Sequence, residues 1–219
     1  MAILICGSLA FDTIMNFEGR FAEQILPDQL HILNVSFLVP TLRRDFGGCA
    51  GNIAYALKAL GGAPVPMATV GNDGAGYLHR LRDFGIATEF VRQIDETYTA
   101  QALIMTDKDN NQITAFHPGA MMQAHVTRIE ARSDIKLGII SPAGRDARLP
   151  HAAQVTEATI PFGLHTGPVV GGELGRDAGR ARQQLRLPVG GEPVGVKIST
   201  IKLSTHNGFS SIGLAARDA

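Results

Sequence analysis

Up to Phe162, apolar and polar positions alternate in blocks, and each block predicts an element. Ala2–Cys6 is a short unbroken apolar run, the pattern of a buried strand, with Gly7-Ser8 as the turn after it. Ile53, Ala54, Leu57 and Leu60 recur at helical spacing, and Gly61-Gly62 ends the predicted helix. Val65–Val70 then reads as a strand, Gly74–Phe84 as a helix with Leu78, Leu81 and Phe84 inward, and Glu89–Arg92 as a short strand. Thr99–Thr106 and Gln112–Phe116 flank the polar turn Asp107–Asn111 and predict a hairpin. Ile135–Ser141 follows as a strand and Arg145–Ala158 as a helix, in which Pro150 is an awkward interior residue; Thr159–Phe162 begins another strand. Strands alternating with helices predict an α/β fold, a doubly wound, mostly parallel sheet with right-handed crossovers. The hairpin breaks that alternation and is a candidate lid.

The rhythm stops at a seam near Phe162. Eleven of the 25 glycines lie in the 57 residues from Gly163 onward. Charge divides there too, at net −3 before the seam and +3 after it. Gly163–Glu192 mixes Gly, Arg, Ala and Pro without a period of 2 or 3.6, which reads as loop or disorder. Within the tail, only Val194–Ile198 and its continuation to Leu203 alternate as a strand would. The chain therefore reads as a domain over 1–162 and an atypical Gly/Arg-rich tail over 163–219.

Composition narrows the function classes. With 219 residues, 45% hydrophobic and 18% charged, the chain is an ordinary globular one. Twenty basic and twenty acidic residues cancel, so no bulk field draws nucleic acid or an anionic membrane. No apolar stretch approaches the roughly 20 residues that cross a bilayer, and the first residues lack the form of a signal peptide. Cys6 and Cys49 have no metal-ligand spacing and are too few for a disulfide framework, which suits a cytoplasmic protein. The seven histidines show no HExxH pairing, and no metal site is expected from them.

The strongest local signal is Phe46-Gly-Gly-Cys-Ala-Gly-Asn-Ile53, directly before a helix. Gly47, Gly48 and Gly51 allow close backbone approach, the helix start beyond them offers unpaired N–H groups, and Asn52 adds a side-chain donor and acceptor. The segment suits hydroxyls or an anion, or is simply a tight turn into a helix. It is not a Walker A loop, since no Gly-Lys-Ser/Thr follows. Asp12 stands just past the first strand, where open α/β sheets bind ligands, and its carboxylate could accept from two sugar hydroxyls or be a solvated turn residue. Asn72-Asp-Gly-Ala-Gly76 reads as a strand-to-helix turn with Asp73 near a helix N-cap. Phe116, closing the hairpin, could stack on a planar base or serve the lid's own packing. No G-x-G-x-x-G follows the first strand, which weighs against a dinucleotide-binding oxidoreductase.

Taken in order, Gly7-Ser8…Asp12, Gly47-Gly48-Cys-Ala-Gly51-Asn52 and Val70-Gly71-Asn-Asp73-Gly74 resemble the N-terminal half of the ribokinase-like (PfkB) carbohydrate kinases. Phe11–Phe17, Gly19–Phe21, Leu33–Val39 and Phe116–Met121 are similar to bacterial adenosine kinases of that family. The resemblance implies a ribokinase-like fold with a small β lid built from segments near 12–18, 33–39 and 98–116. It implies transfer of phosphate from ATP, with Mg²⁺, to the primary hydroxyl of a small-molecule nucleoside or sugar, and pairing of lids into a homodimer. By it, Asp12, Gly48 and Asn52 would hold ribose hydroxyls, and Ser8, Ser36 and Phe116 would line the nucleoside pocket. Adenosine is the substrate it points to, another sugar the alternative. Ala102 departs from it, standing where an aromatic partner for adenine is expected.

A larger departure follows Phe162. The family's second half carries an Asx-x-x-Glu segment near Mg²⁺ and a Gly-Ala-Gly-Asp loop whose Asp is the general base. Neither appears after Phe162, and Gly74-Ala75-Gly76 lies elsewhere without the Asp. No catalytic residue is therefore assigned, and whether the chain is an enzyme stays open between a kinase and a non-catalytic fragment that keeps part of the sugar-binding face. The composition of the tail fits a shifted reading frame from about residue 163, which DNA through that codon would reveal.

Overall fold

The computed structural model describes residues 1–129, 132–144, 146–165, 205–206 and 209–210. The chain divides into two compact units, Met1–Phe162 and Gly163–Ala219. In the first, a parallel sheet runs in the order β5 (Val91–Ile94), β4 (Ala63–Gly71), β1 (Ala2–Cys6) and β8 (Ile135–Ile140), reaching β9 (Phe162–Leu164) where the unit ends. Having a neighbour on each side, β1 is buried almost throughout, as its unbroken apolar run requires. Pro64 and Pro66 are tolerated in β4 because β5 pairs with it only from Ala68 onward.

Helix α2 (Cys49–Ala59) lays Ala50 and Ala54 on the sheet, with Ile53 and Leu57 beside them. It ends in a Schellman motif: Gly61, at φ +82°, donates to the Lys58 carbonyl and Gly62 to that of Leu57. Leu60, expected on the inner face, is the C-cap residue and 77% exposed. Helix α3 (Ala75–Asp83) buries Tyr77 and Leu81. Leu78 packs beside them, so Leu78 and Leu81 face inward as the sequence predicts; Phe84 does not, lying just past the helix end against Tyr55. These helices share a core with Ile5, Ala68 and Val70. Thr69, of opposite parity on β4, faces the 3₁₀ stretch Gly119–Val126, whose Ala124 carbonyl meets His151 of α4 (Arg148–Glu157). The sheet is therefore covered on both faces, the doubly wound arrangement expected. Pro150 falls in the first turn of α4, where no N–H has an intrahelical partner.

A second sheet forms the lid, in the order β3 (Thr41–Gly47), β2 (Ala10–Asn16), β6 (Ala100–Thr106) and β7 (Gln112–His117). The predicted hairpin is β6–β7. Residues 33–39, expected in the lid, carry no strand; the edge position belongs to Thr41–Gly47. Their alternation is satisfied otherwise, for Phe37 packs edge-on against Phe17 and Phe21, beside short helix α1 (Phe21–Gln24). The short strand expected at Glu89–Arg92 lies two residues later, as β5. In the second unit, β10 (Thr205–His206) and β11 (Phe209–Ser210) pair antiparallel; the strand expected over 194–203 lies outside the described residues. No helix among the described residues is long and apolar enough to cross a membrane.

Candidate functional site: a glycine turn beneath the lid

The winding order of the sheet reverses at β1 and β8, which run parallel: β4 and β5 lie to one side of β1 and β8 to the other. Open α/β sheets bind ligands beyond the carboxyl ends of strands at such a point. The two strand ends are drawn close: Ser141 donates its hydroxyl to the Cys6 carbonyl at 2.9 Å, and Ser8 N–H donates to the Pro142 carbonyl at 3.1 Å.

Above this crevice, Gly47 and Gly48 join the lid to α2. A Cβ on Gly47 would lie 2.3 Å from Asp12 Oδ2, so the Asp12 carboxylate rests on the bare backbone of the turn. Gly48 has φ +89°, and a Cβ there would lie 2.5 Å from the Ser8 carbonyl oxygen. The side chains that glycine omits are what admit Asp12 and the β1–β2 connection. Asn52 N–H closes on the Gly48 carbonyl at 3.0 Å, and its side chain is exposed. Asp12 thus lies against Gly47, and Asn52 is bonded through its backbone to the next residue of the same turn.

Ser8 is buried and holds the start of α2. Its hydroxyl oxygen accepts from Cys49 N–H at 3.1 Å and its carbonyl from Ala50 N–H at 2.9 Å. Of the amides that this helix start leaves without an intrahelical partner, Cys49 and Ala50 are thus bonded to Ser8, while Asn52 N–H makes the first bond of the helix itself, to Gly48. The site suits hydroxyls better than a bare anion.

Asp12 also belongs to a row across the lid. Strand pairing sets Asp45 of β3, Asp12, Ala102 of β6 and Phe116 of β7 side by side, and directly paired residues share a face. Two strand spacings, roughly 10 Å, separate the carboxylate from the Phe116 ring, with only the Ala102 methyl between. On the same face, Ile14, Asn16, Thr41 and Arg43 help line a cavity of about 220 Å³. Burial raises the Asp12 carboxyl above its ordinary value, and the Asp45 charge adds to this. Arg43 pairs with Asp45 at 3.0 Å. Ser36 stands apart, exposed next to Phe37 at the outer end of the lid.

Two residues that local pattern did not reveal support the turn. Tyr77 donates its hydroxyl to the Gly47 carbonyl at 2.6 Å, and the hydroxyl oxygen would lie 2.0 Å from a Cβ on Gly51. Arg44 lies over the Phe11 ring at 3.7 Å and pairs with Asp73 at 2.5 Å. Asp73 therefore does not cap α3, whose N-cap residue is Gly74. The i, i+4 spacing of Tyr77 and Leu81 was the available signal for the first; nothing local marks the second.

The described residues offer no fit for a triphosphate or Mg²⁺. None of them forms a cluster of three metal-ligating side chains. Asp107-Lys-Asp109-Asn-Asn111 has a cation-loop spacing, but Asp107 accepts from Phe21, Asp109 and Asn111, and Asp109 pairs with Arg20. Gly74 N–H is bonded to the Gly71 carbonyl, so Gly74-Ala-Gly76 is a structural turn.

A model of the pfkB family of carbohydrate kinases matches residues 10–138. Over 120 residues, 54% of this chain and 36% of the relative, the sequence is 37% identical to a nucleoside kinase of Methanocaldococcus jannaschii. The ligand-free nucleoside kinase of Burkholderia thailandensis superposes with a TM-score of 0.66 at 53% identity, over 80% of this chain and 59% of that one. The same protein in complex with inosine gives 0.66 at 50% identity, covering 80% and 57%. The chain thus spans little more than a third of that curated relative and under three fifths of the solved structure. With the family match running from the Asp12 strand through the lid to β8, and over more than half the chain, this protein belongs to the pfkB family of carbohydrate kinases.

Proposed function

We propose that the chain carries the acceptor-binding face of an ATP-dependent nucleoside kinase, with a purine nucleoside as the small molecule bound. The observation that carries this reading is the Asp12 carboxylate lying on Gly47, with Asn52 bonded through its N–H to the next residue of the same turn. A carboxylate and an amide so placed accept from and donate to neighbouring ribose hydroxyls, Gly48 lets the sugar approach the backbone, and Phe116, in the Asp12 row, supplies a ring for the base. Adenosine is the first candidate and inosine, held by the Burkholderia relative, the second. A simple sugar would leave Phe116 without a partner. The donor, ATP with Mg²⁺, rests on the family alone and is assigned to none of the described residues. The same reading places the protein in the cytoplasm, where Cys6 and Cys49 remain thiols.

Phosphoryl transfer requires positioning and charge stabilisation. No Gly-Ala-Gly-Asp loop lies within residues 163–219, so what is proposed for residues 1–162 is acceptor binding alone. Calorimetry with adenosine, inosine and ribose, run beside a labelled-ATP transfer assay, tests both halves. Nucleoside binding without transfer is expected. Asp12→Ala should cost roughly 1.5–3 kcal/mol for each charge-assisted hydrogen bond lost, about ten- to hundredfold in affinity. Unchanged affinity removes Asp12 from the site, and turnover at an ordinary kinase rate would mean that a catalytic base is present that this reading does not assign.

A further inference from the structure

The β6–β7 hairpin of the lid enters and leaves the body through one crossing, and that crossing is bonded to the turn after β4. Gly71 N–H donates to Thr99 Oγ1 at 2.9 Å, Asn72 N–H to the Thr97 carbonyl at 2.9 Å, and the Asn72 side chain to the Asp95 carbonyl at 3.2 Å. A Cβ on Gly71 would lie 2.1 Å from the Tyr98 carbonyl carbon, so the two backbones touch. On the return path, Ala120 N–H donates to the Tyr98 carbonyl.

Asp73 sits at the centre of this crossing and reaches two lid strands. Its Oδ1 accepts from Thr99 N–H, at the foot of β6, at 2.8 Å; its Oδ2 accepts from Arg44 of β3 at 2.5 Å. Strand β2, which carries Asp12, lies between β3 and β6. One carboxylate of the body therefore holds the strands on both sides of the Asp12 strand. Arg44 is next to Asp45, the cross-strand partner of Asp12, and is held flat on Phe11, the neighbour of Asp12 in the chain. Burial pushes the Asp73 carboxyl up, but the bonds from Thr99 and Arg44 outweigh it and keep it below the ordinary carboxylate range, so it is ionised when the latch is closed.

We infer that Asp73 is a positioning residue for the sugar site, a latch that fixes the Asp12 row relative to the glycine turn without touching the ligand. Its consequence for affinity rests on the nucleoside-binding reading above; the mechanical part does not. Two variants of the full chain grade the effect. Asp73→Asn keeps an acceptor for Thr99 N–H and loses the charge pair with Arg44, whereas Asp73→Ala loses both.

Hydrogen exchange, followed peptide by peptide without ligand, should rise in Thr41–Phe46 for Asp73→Asn by a few-fold, the pair being partly exposed. In Asp73→Ala it should rise in both Thr41–Phe46 and Thr99–Gln101, by about tenfold, with β1 and β4 unchanged. Nucleoside affinity, read by calorimetry with adenosine and inosine, should fall in the same order. A uniform rise over β1, β4 and lid alike, or no rise in the lid, overturns the latch. A looser lid with unchanged affinity overturns the positioning role. Should the unmutated chain bind no nucleoside, the functional reading falls while the exchange pattern still decides the latch.

Discussion

Tyr77 is 2% exposed, and its hydroxyl has the Gly47 carbonyl as its partner. Burial first, and then the nearby Asp12 charge, raise the phenol above its ordinary value, so it stays a proton donor at neutral pH. Removing that oxygen leaves a buried carbonyl unpaired at the one peptide on which Asp12 rests. Tyr77→Phe should therefore cost roughly 1–3 kcal/mol, the penalty of a buried unsatisfied acceptor, read as a lower denaturant midpoint at unchanged slope. A midpoint equal to the parent's would mean that the turn holds its shape without the bond. Neighbouring thiols take no part in chemistry here. Burial pushes Cys6 up to about 12 and raises Cys49 too; a Ser8 hydrogen bond opposes the rise at Cys49, Asp12 adds to it, and Arg148 opposes it. Both are protonated at neutral pH and serve as small packing residues.

Among elements, the lid hairpin depends most on charge. Asp107, at its tip, is buried and accepts from the backbone of Phe21, Asp109 and Asn111 and from the Asn111 side chain. Burial pushes its carboxyl up, but these hydrogen bonds outweigh that and hold it below the ordinary range. A depressed folded pKa stabilises the fold above the unfolded value, near 4, and that contribution is lost as pH falls through the folded value. Asp73, also depressed, shifts stability in the same direction at the foot of the lid. Acidification below about pH 4 should thus increase exchange in β6 and β7 before β1 and β4, and Asp107→Asn should abolish most of that acid step at the tip. A lid and core that open together on acidification would show that the tip carboxylate does not govern the lid. That hairpin was legible from its Asp-Lys-Asp-Asn-Asn turn between two apolar runs. The lid's edge strand was not: Thr41–Phe46 is exposed at every position and has no apolar alternation, while 33–39 has alternation and packs through Phe37.

For the molecule as a whole, the parallel sheet was legible because β1, β4 and β8 are apolar in themselves, and the close approach at Gly47 and Gly48 because paired glycines before a helix announce it. Tyr77–Gly47 and Arg44–Asp73 were not, since each joins residues about thirty positions apart and depends on how α3 meets the lid. Such long-range packing also creates a surface that no single segment displays. On the lid face opposite Asp12, the row Met15, Leu42, Met105 and Ile113 lies beside the row Thr13, Arg44, Leu103 and Ala115. Leu42 is 64% exposed, Leu103 38% and Ile113 39%. At its inner end this face is covered by the Phe11, Phe46 and Tyr77 rings; farther out, Leu42, Leu103 and Ile113 remain open to solvent. Exposed apolar side chains in adjoining rows of a four-stranded sheet with two open edges invite a self-complementary contact, and a two-fold pairing of lids would cover both copies equally. A homodimer of about 47 kDa, twice the 23.3 kDa chain, is the expected mass in sedimentation equilibrium. Leu103→Lys with Ile113→Lys places two charges in the rows without touching the Asp12 face, so it should return the mass to that of one chain while nucleoside affinity is kept. A monomer before the substitutions would leave these rows to a different partner, and a dimer that survives them would place the interface elsewhere.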